Sequence, residues 1–180
     1  MSFPVALAVL ALLVGALNLI LMAGVIKRLR DHTEMLASNQ GRKPSIGVGE
    51  EVDEFSATTI DGDPVTRDSL AGETVVAFFS ATCGPCKEKL PKFVQFAKEL
   101  PRGRDQTLVV VAGEPDEVAP MTAALSPVAR VVLENNSDPV TSAFNVQMYP
   151  VILRVGSDPD GRIAVLSDRV NLNRHPVAMA

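Results

Sequence analysis

The sequence predicts an α/β domain, a mixed sheet with helices on both faces, preceded by a single N-terminal transmembrane helix. Three observations predict it. Runs rich in β-branched and aromatic residues alternate with helical stretches and end in a hairpin. The chain's two cysteines, Cys83 and Cys86, sit where the first buried strand gives way to a helix. An almost wholly apolar run, Phe3 to Ile26, opens the chain. The division that follows is an anchor over 1–26, a polar tether over 27–46, a folded domain over 47–170 and a loose tail over 171–180.

The opening run is broken only by Asn18 and small residues such as Gly15 and Gly24. It exceeds the roughly 20 residues that a helix needs to cross bilayer hydrocarbon. No basic side chain precedes Lys27, and the run is too long for the apolar part of a secretory signal, so it reads as an uncleaved single-pass anchor in the cell membrane. Lys27, Arg28 and Arg30 follow at once, and the positive-inside rule alone would put them and the domain in the cytoplasm. Residues 27–46 are charged and polar, a short helix running into a flexible spacer.

The domain opens at Gly47, and an Asp61-Gly62 turn between Ala57–Ile60 and Val65-Thr66 marks a hairpin. Thr74–Phe79 is a continuous buried strand. From Cys86 to Leu100 the residues Leu90, Phe93, Val94, Ala97 and Leu100 share one helical face. Gln106–Ala112 is a second buried strand, Pro115 opens a helix toward Leu125, and Ala129–Leu133 is a third strand. Asp138-Pro139 has the form of an N-cap and first-turn proline for a helix to about Phe144. Pro150–Val155 and Arg162–Leu166 then flank a turn-rich connection, Ser157–Gly161, whose Asp158 and Asp160 read as turn chemistry rather than calcium ligands.

Cys83-Gly84-Pro85-Cys86 therefore occupies a strand-to-helix turn. Unpaired amides at the helix head stabilise a thiolate, so Cys83 is the expected nucleophile and Cys86, one turn further in, the expected resolving thiol. Gly84 permits close approach of a second chain, and Pro85 stiffens the first helical turn, where its missing N–H costs little. A structural zinc site would need four ligands, and His32 and His175 lie in the two terminal regions with no ligand spacing. An iron–sulfur cluster lacks its thiolates, and a purely structural bridge closing so short a loop stabilises little. The chemistry needs no cofactor and no metal. A formal charge of −4 argues against nucleic acid as a partner, which requires clustered basic surface.

Phe78–Lys87 around the cysteines, Pro91 five residues beyond them, and Met148-Tyr149-Pro150-Val151-Ile152-Leu153 resemble the thioredoxin superfamily over residues 47–167. Val48-Gly49-Glu50 to Phe55, with Thr59–Gly62, resembles its membrane-anchored TlpA-like and redoxin branch, of the AhpC-TSA type. The resemblance implies a thioredoxin-like fold, thiol–disulfide exchange with protein dithiols and disulfides, and an electron donor that it does not name. It also implies a cis peptide at Tyr149-Pro150 that offers backbone to the substrate beside Gly84 and Pro85, and a domain outside the cytoplasm. Three positions depart from the pattern: Ala77 stands where thioredoxin has a buried aspartate, Thr82 replaces an aromatic, and Lys89 replaces a glutamate of some TlpA-like chains, with Glu88 one place earlier. Proton transfer is thus left without an assigned side chain. Two further functions stay open, a client-specific maturation factor for a cytochrome or dehydrogenase and a thiol peroxidase. The peroxidase branch wants a threonine three residues before its cysteine, where this chain has Ser80.

Overall fold

A computed structural model of the chain describes Leu13, residues 43–134 and residues 138–173. The expected anchor, apart from Leu13, most of the tether and residues 174–180 of the expected tail lie outside the described residues. Among those described, no helix is long and apolar enough to cross a membrane.

Two antiparallel strands, β1 (Ser56–Thr58) and β2 (Pro64–Thr66), form the expected hairpin. Its turn closes through Thr59 N donating to Asp63 O at 2.9 Å, and Gly62 takes the positive φ of +88° that the reversal needs. A 3₁₀ turn, Arg67–Leu70, leads into the main sheet. That sheet has five strands: β3 (Thr74–Ser80), β4 (Thr107–Ala112), β5 (Arg130–Glu134), β6 (Val151–Ser157) and β7 (Ile163–Ser167). Their spatial order is β5-β4-β3-β6-β7, with β3, β4 and β5 parallel and β6 antiparallel to both β3 and β7. The sheet is mixed, as the alternation followed by a hairpin predicts.

β3 lies at the centre, which explains its uninterrupted run of buried residues. Its side chains alternate between two cores. Val75, Ala77 and Phe79 face a layer built by α1 (Gly84–Lys98) and α2 (Pro115–Leu125), through Phe93, Phe96, Ala97, Val118, Met121 and Leu125. Val76 and Phe78 face the opposite layer, where α3 (Pro139–Ala143) brings Val140, Ala143 and the adjoining Phe144, and the β1–β2 hairpin brings Val65. Helices thus cover both faces, with one short helix on the second.

Two details differ from the sequence reading. The end of the expected tether is bonded into the domain: Gln147 N donates to Pro44 O at 2.9 Å and Ile46 N to Phe144 O at 3.0 Å, and Ser45 is buried. Asp138 holds the N-cap position of α3 with extended backbone, yet no side-chain cap bond comes from it. Glu134 at the end of β5 takes that role, accepting from Val140 N at 2.9 Å and Thr141 N at 2.8 Å. A capping carboxylate on the preceding strand satisfies the same orphan amides from outside the local sequence.

Phe144 has no exposed surface, and its ring centroid lies 5.2 Å from Phe78 and 6.2 Å from Phe55. It joins the hairpin, α3 and the central strand in one contact. Phe144→Ala should cost about 3–5 kcal/mol of unfolding free energy. Urea denaturation of the variant and parent would check it, and a loss under about 1 kcal/mol would show that the site collapses freely.

Candidate active site

Four residues after the last buried residue of β3, Phe79, and past Ser80, Ala81 and Thr82, the chain reaches Cys83, which caps α1. Cys83 has extended backbone, φ −85° and ψ 116°, as an N-cap requires. Its amide donates to Ser80 O at 3.2 Å, closing the turn from the strand. Its sulfur accepts from Cys86 N at 3.3 Å and so takes one of the orphan donors of the helix head. Pro85 falls within the first two helical positions, where the missing amide leaves no gap in the ladder. Gly84 is exposed, and a Cβ built there would meet nothing within 4 Å, so the approach to Cys83 is open on that side.

The two thiols, unbridged here, live in different surroundings. Cys83 is half-buried, whereas Cys86 has no exposed surface. Ser80 N lies 3.5 Å from Cys86 Sγ and donates to it. Burial pushes the Cys86 thiol up to about 12, and the neighbouring Cys83 thiol adds to that rise, while the Ser80 amide and the charge of Lys89 act the other way. Ala77, in the position of thioredoxin's aspartate, is wholly buried in the same core layer as Cys86 and supplies no carboxylate. Glu88 and Lys89 both lie on the exposed side of α1.

The Tyr149–Pro150 peptide is cis, as the resemblance implies. Tyr149 O lies 3.6 Å from Cys83 Sγ and can accept from its thiol, so residues far apart in sequence meet at one point. Behind that point runs a relay of bonds the sequence did not reveal. The half-buried Tyr149 is hydrogen-bonded to the Thr141 side chain, and the Thr141 hydroxyl donates to the buried Glu134 carboxylate at 3.0 Å. Burial raises the Tyr149 phenol, which the nearby Glu134 and Cys86 push further up. The only available signal was an acid ending a strand just ahead of a proline-initiated helix. Gly113 was also missed: with φ +149°, it lies where a Cβ would come within 3.1 Å of the Ala81 methyl group and of Val118, so β4 closes tightly on the turn before Cys83.

Among the described residues no cluster of three or more His, Cys, Asp or Glu could hold a metal ion. His32 and His175 lie outside the described residues. What remains is a paired dithiol with one accessible and one sheltered sulfur, at the head of a helix and against a cis-proline. On a sheet of this order that arrangement belongs to the thiol–disulfide oxidoreductases of the thioredoxin type.

Comparison with known proteins narrows the class. Residues 48–165 match the model of the AhpC/TSA family, and the chain belongs to that family. Solved structures share its fold. The thioredoxin domain of a thiol–disulfide oxidoreductase from Bacteroides vulgatus is 17% identical over 69% of this chain and 91% of that one, with a TM-score of 0.52. A secreted disulfide oxidoreductase of Mycobacterium tuberculosis, homologous to E. coli DsbE, is 18% identical over 70% and 87%, with a TM-score of 0.51. A thio-disulfide isomerase of Thermus thermophilus is 23% identical over 70% and 89%, with a TM-score of 0.50. No curated protein matches the sequence significantly.

The raised Cys86 thiol links protonation to stability. Its folded value, about 12, lies above the ordinary thiol value of about 8.5, so the folded dithiol holds a proton that the unfolded chain has lost in that window. Stability of the reduced protein should therefore fall as pH rises from about 8.5 toward 12, by up to about 1.4 kcal/mol per pH unit, and should not change from this cause below that range. Urea denaturation of the reduced chain at several pH values, beside Cys86→Ser, would check it. Equal slopes in the two proteins would contradict the assignment.

Proposed function

We propose that the chain is a membrane-tethered thiol–disulfide oxidoreductase that exchanges its Cys83–Cys86 dithiol with the disulfides of protein substrates, acting as a reductant. The observation that carries this reading is the asymmetry of the pair: Cys83 is accessible and hydrogen-bonded at a helix head, while Cys86 is fully buried and holds its proton up to about 12. Gly84, Pro85, Tyr149 and Pro150 form the surface on which the substrate's disulfide lies.

In this exchange the Cys83 thiolate attacks one sulfur of the substrate disulfide. The S–S bond breaks, the other substrate sulfur leaves and takes up a proton, and a mixed disulfide joins Cys83 to the substrate. Cys86 then attacks the Cys83 sulfur, its proton passes to the second departing substrate sulfur, and the intramolecular disulfide forms. Two electrons and two protons have moved from the protein to the substrate. Forming the mixed disulfide removes the Cys83 thiol, one of the groups that hold the Cys86 proton, so the resolving sulfur is released when it is needed. An electron donor must then restore the dithiol. The Gly-Pro centre, like thioredoxin's, favours the reducing direction.

The anchor expected over 1–26 tethers the domain to the cell membrane. In this reading the domain lies outside the cytoplasm, in a compartment that lacks soluble thiol pools and in which a fixed reductant is of most use. This placement runs against the charges of Lys27, Arg28 and Arg30. Protease added to intact cells stripped of outer layers should cleave the domain, and protection would reverse the orientation.

Cys83→Ser should abolish insulin reduction in a dithiothreitol-coupled assay, and Cys86→Ser should accumulate mixed disulfides that run as larger species on non-reducing gels. Full activity in the first variant would overturn the mechanism. Hydrogen peroxide consumption that depends on Cys83 would replace it with the thiol-peroxidase reading, against which stands Ser80 in the threonine position, with its hydroxyl 3.2 Å from that of Thr82. Activity confined to one client would favour a dedicated maturation factor.

A further inference from the structure

Next to Pro150 the surface falls into a cleft of about 420 Å³. Its floor is Pro150 and the start of β6, Val151 to Leu153; one wall is α1 and the other is the segment after β7, Asp168 to Asn173. The lining has two characters. Half-buried Ile152, Val170 and Leu172 pack against the core layer beneath α1 and give it an apolar base. Around this base stand three exposed cations, Lys89, Lys92 and Arg169, with Asp168 the one acid of the lining. Among the described residues none of the three is in an ion pair, although the half-buried Arg154 and the exposed Arg162 are. A chain of net charge −4 thus gathers unpaired positive charge at one cleft. The cleft adjoins the dithiol site through Pro150, whose cis peptide with Tyr149 places the Tyr149 carbonyl oxygen 3.6 Å from Cys83 Sγ.

We infer that this cleft receives an acidic, partly apolar segment of the client polypeptide, the stretch that runs on from the disulfide attacked by Cys83. The inference rests on the reading proposed above and adds the substrate's character to it. Charge complementarity selects the occupant. Fixed cations along low-dielectric walls concentrate their field in the groove, raise the local concentration of anionic chain and disfavour a basic one. The apolar base accommodates side chains that alternate with the acids along an extended peptide. Pro150, shared by the cleft and the dithiol site, sets the register between the acidic stretch and the disulfide.

The test uses the full chain carrying Cys83→Ser and Cys86→Ser, and two fluorescent peptides of equal length and apolar content. In each peptide a serine pair replaces the cystine, and three flanking positions hold Glu in one and Lys in the other. Anisotropy titration should show the Glu peptide binding about tenfold more tightly at low salt, with the difference shrinking as ionic strength rises. Adding Lys92→Glu and Arg169→Glu should reverse the preference. Equal affinities, or tighter binding of the Lys peptide, would overturn the inference. The cystine versions are then given to the reduced wild-type chain, where the preference should lie in KM rather than kcat. Reduction of both at equal kcat/KM leaves the oxidoreductase reading standing and removes the cleft's role. A preserved binding preference with no reduction of either peptide does the opposite, leaving an acidic-peptide site and refuting the redox function.

Discussion

The bond from the Cys86 amide to the Cys83 sulfur is the constraint on which the rest of the site depends. It exists only because α1 begins at once after the turn from β3, so that the first cysteine is a cap and the second lies inside the first turn. A cap must face outward to collect orphan amides, and a residue three positions on must face the layer beneath. The different exposure of the two sulfurs is therefore set by helix geometry. The buried run of β3 makes that geometry rigid, since a strand paired on both sides has no freedom to change where it delivers the chain.

A second tie fixes the opposite side of the site. Glu134 ends β5, caps α3 through two amides and accepts from Thr141, whose side chain in turn meets Tyr149. Removing one member would leave buried polar groups without partners, which is costlier than the loss of the bond itself. Strand, short helix and cis-proline loop are thus held to one another, and the Tyr149 carbonyl that faces Cys83 is positioned from the far edge of the sheet. A five-residue helix has little intrinsic stability and depends on such outside support.

Much of this was legible in the sequence where the relevant forces act between neighbours along the chain. The buried character of β3, the face of α1 and the placement of the cysteines follow from local patterning, and the cis peptide followed from resemblance around Tyr149-Pro150. Phe96 lay outside the expected stripe, yet it is buried because α2 and the sheet widen the face that α1 must cover. Glu134 was illegible because its partners lie across a loop, and the plausible local cap, Asp138, took its place in the reading. The cationic cleft was illegible for the same reason: Lys92 and Arg169 are separated by most of the domain, and only the packing of the segment after β7 beside α1 brings them together. Dispersed over an acidic chain, they read as ordinary solvated charges.

The absence of a carboxylate beneath Cys86 bears on how the proposed exchange is timed. Where thioredoxin has an aspartate, Ala77 leaves an apolar floor, and the resolving thiol keeps its proton through burial and through its neighbour. A dithiol in that state resists closing on itself, because the second sulfur is a poor nucleophile while the first is free. Engagement of Cys83 by a substrate removes part of what holds the proton, and Lys89 and the Ser80 amide then act on a sulfur that burial alone keeps neutral. In the proposed mechanism the proton moves to the departing substrate sulfur, so substrate engagement itself opens the step that releases the product. Control of the second transfer then lies in the order of bond formation, which needs no dedicated base.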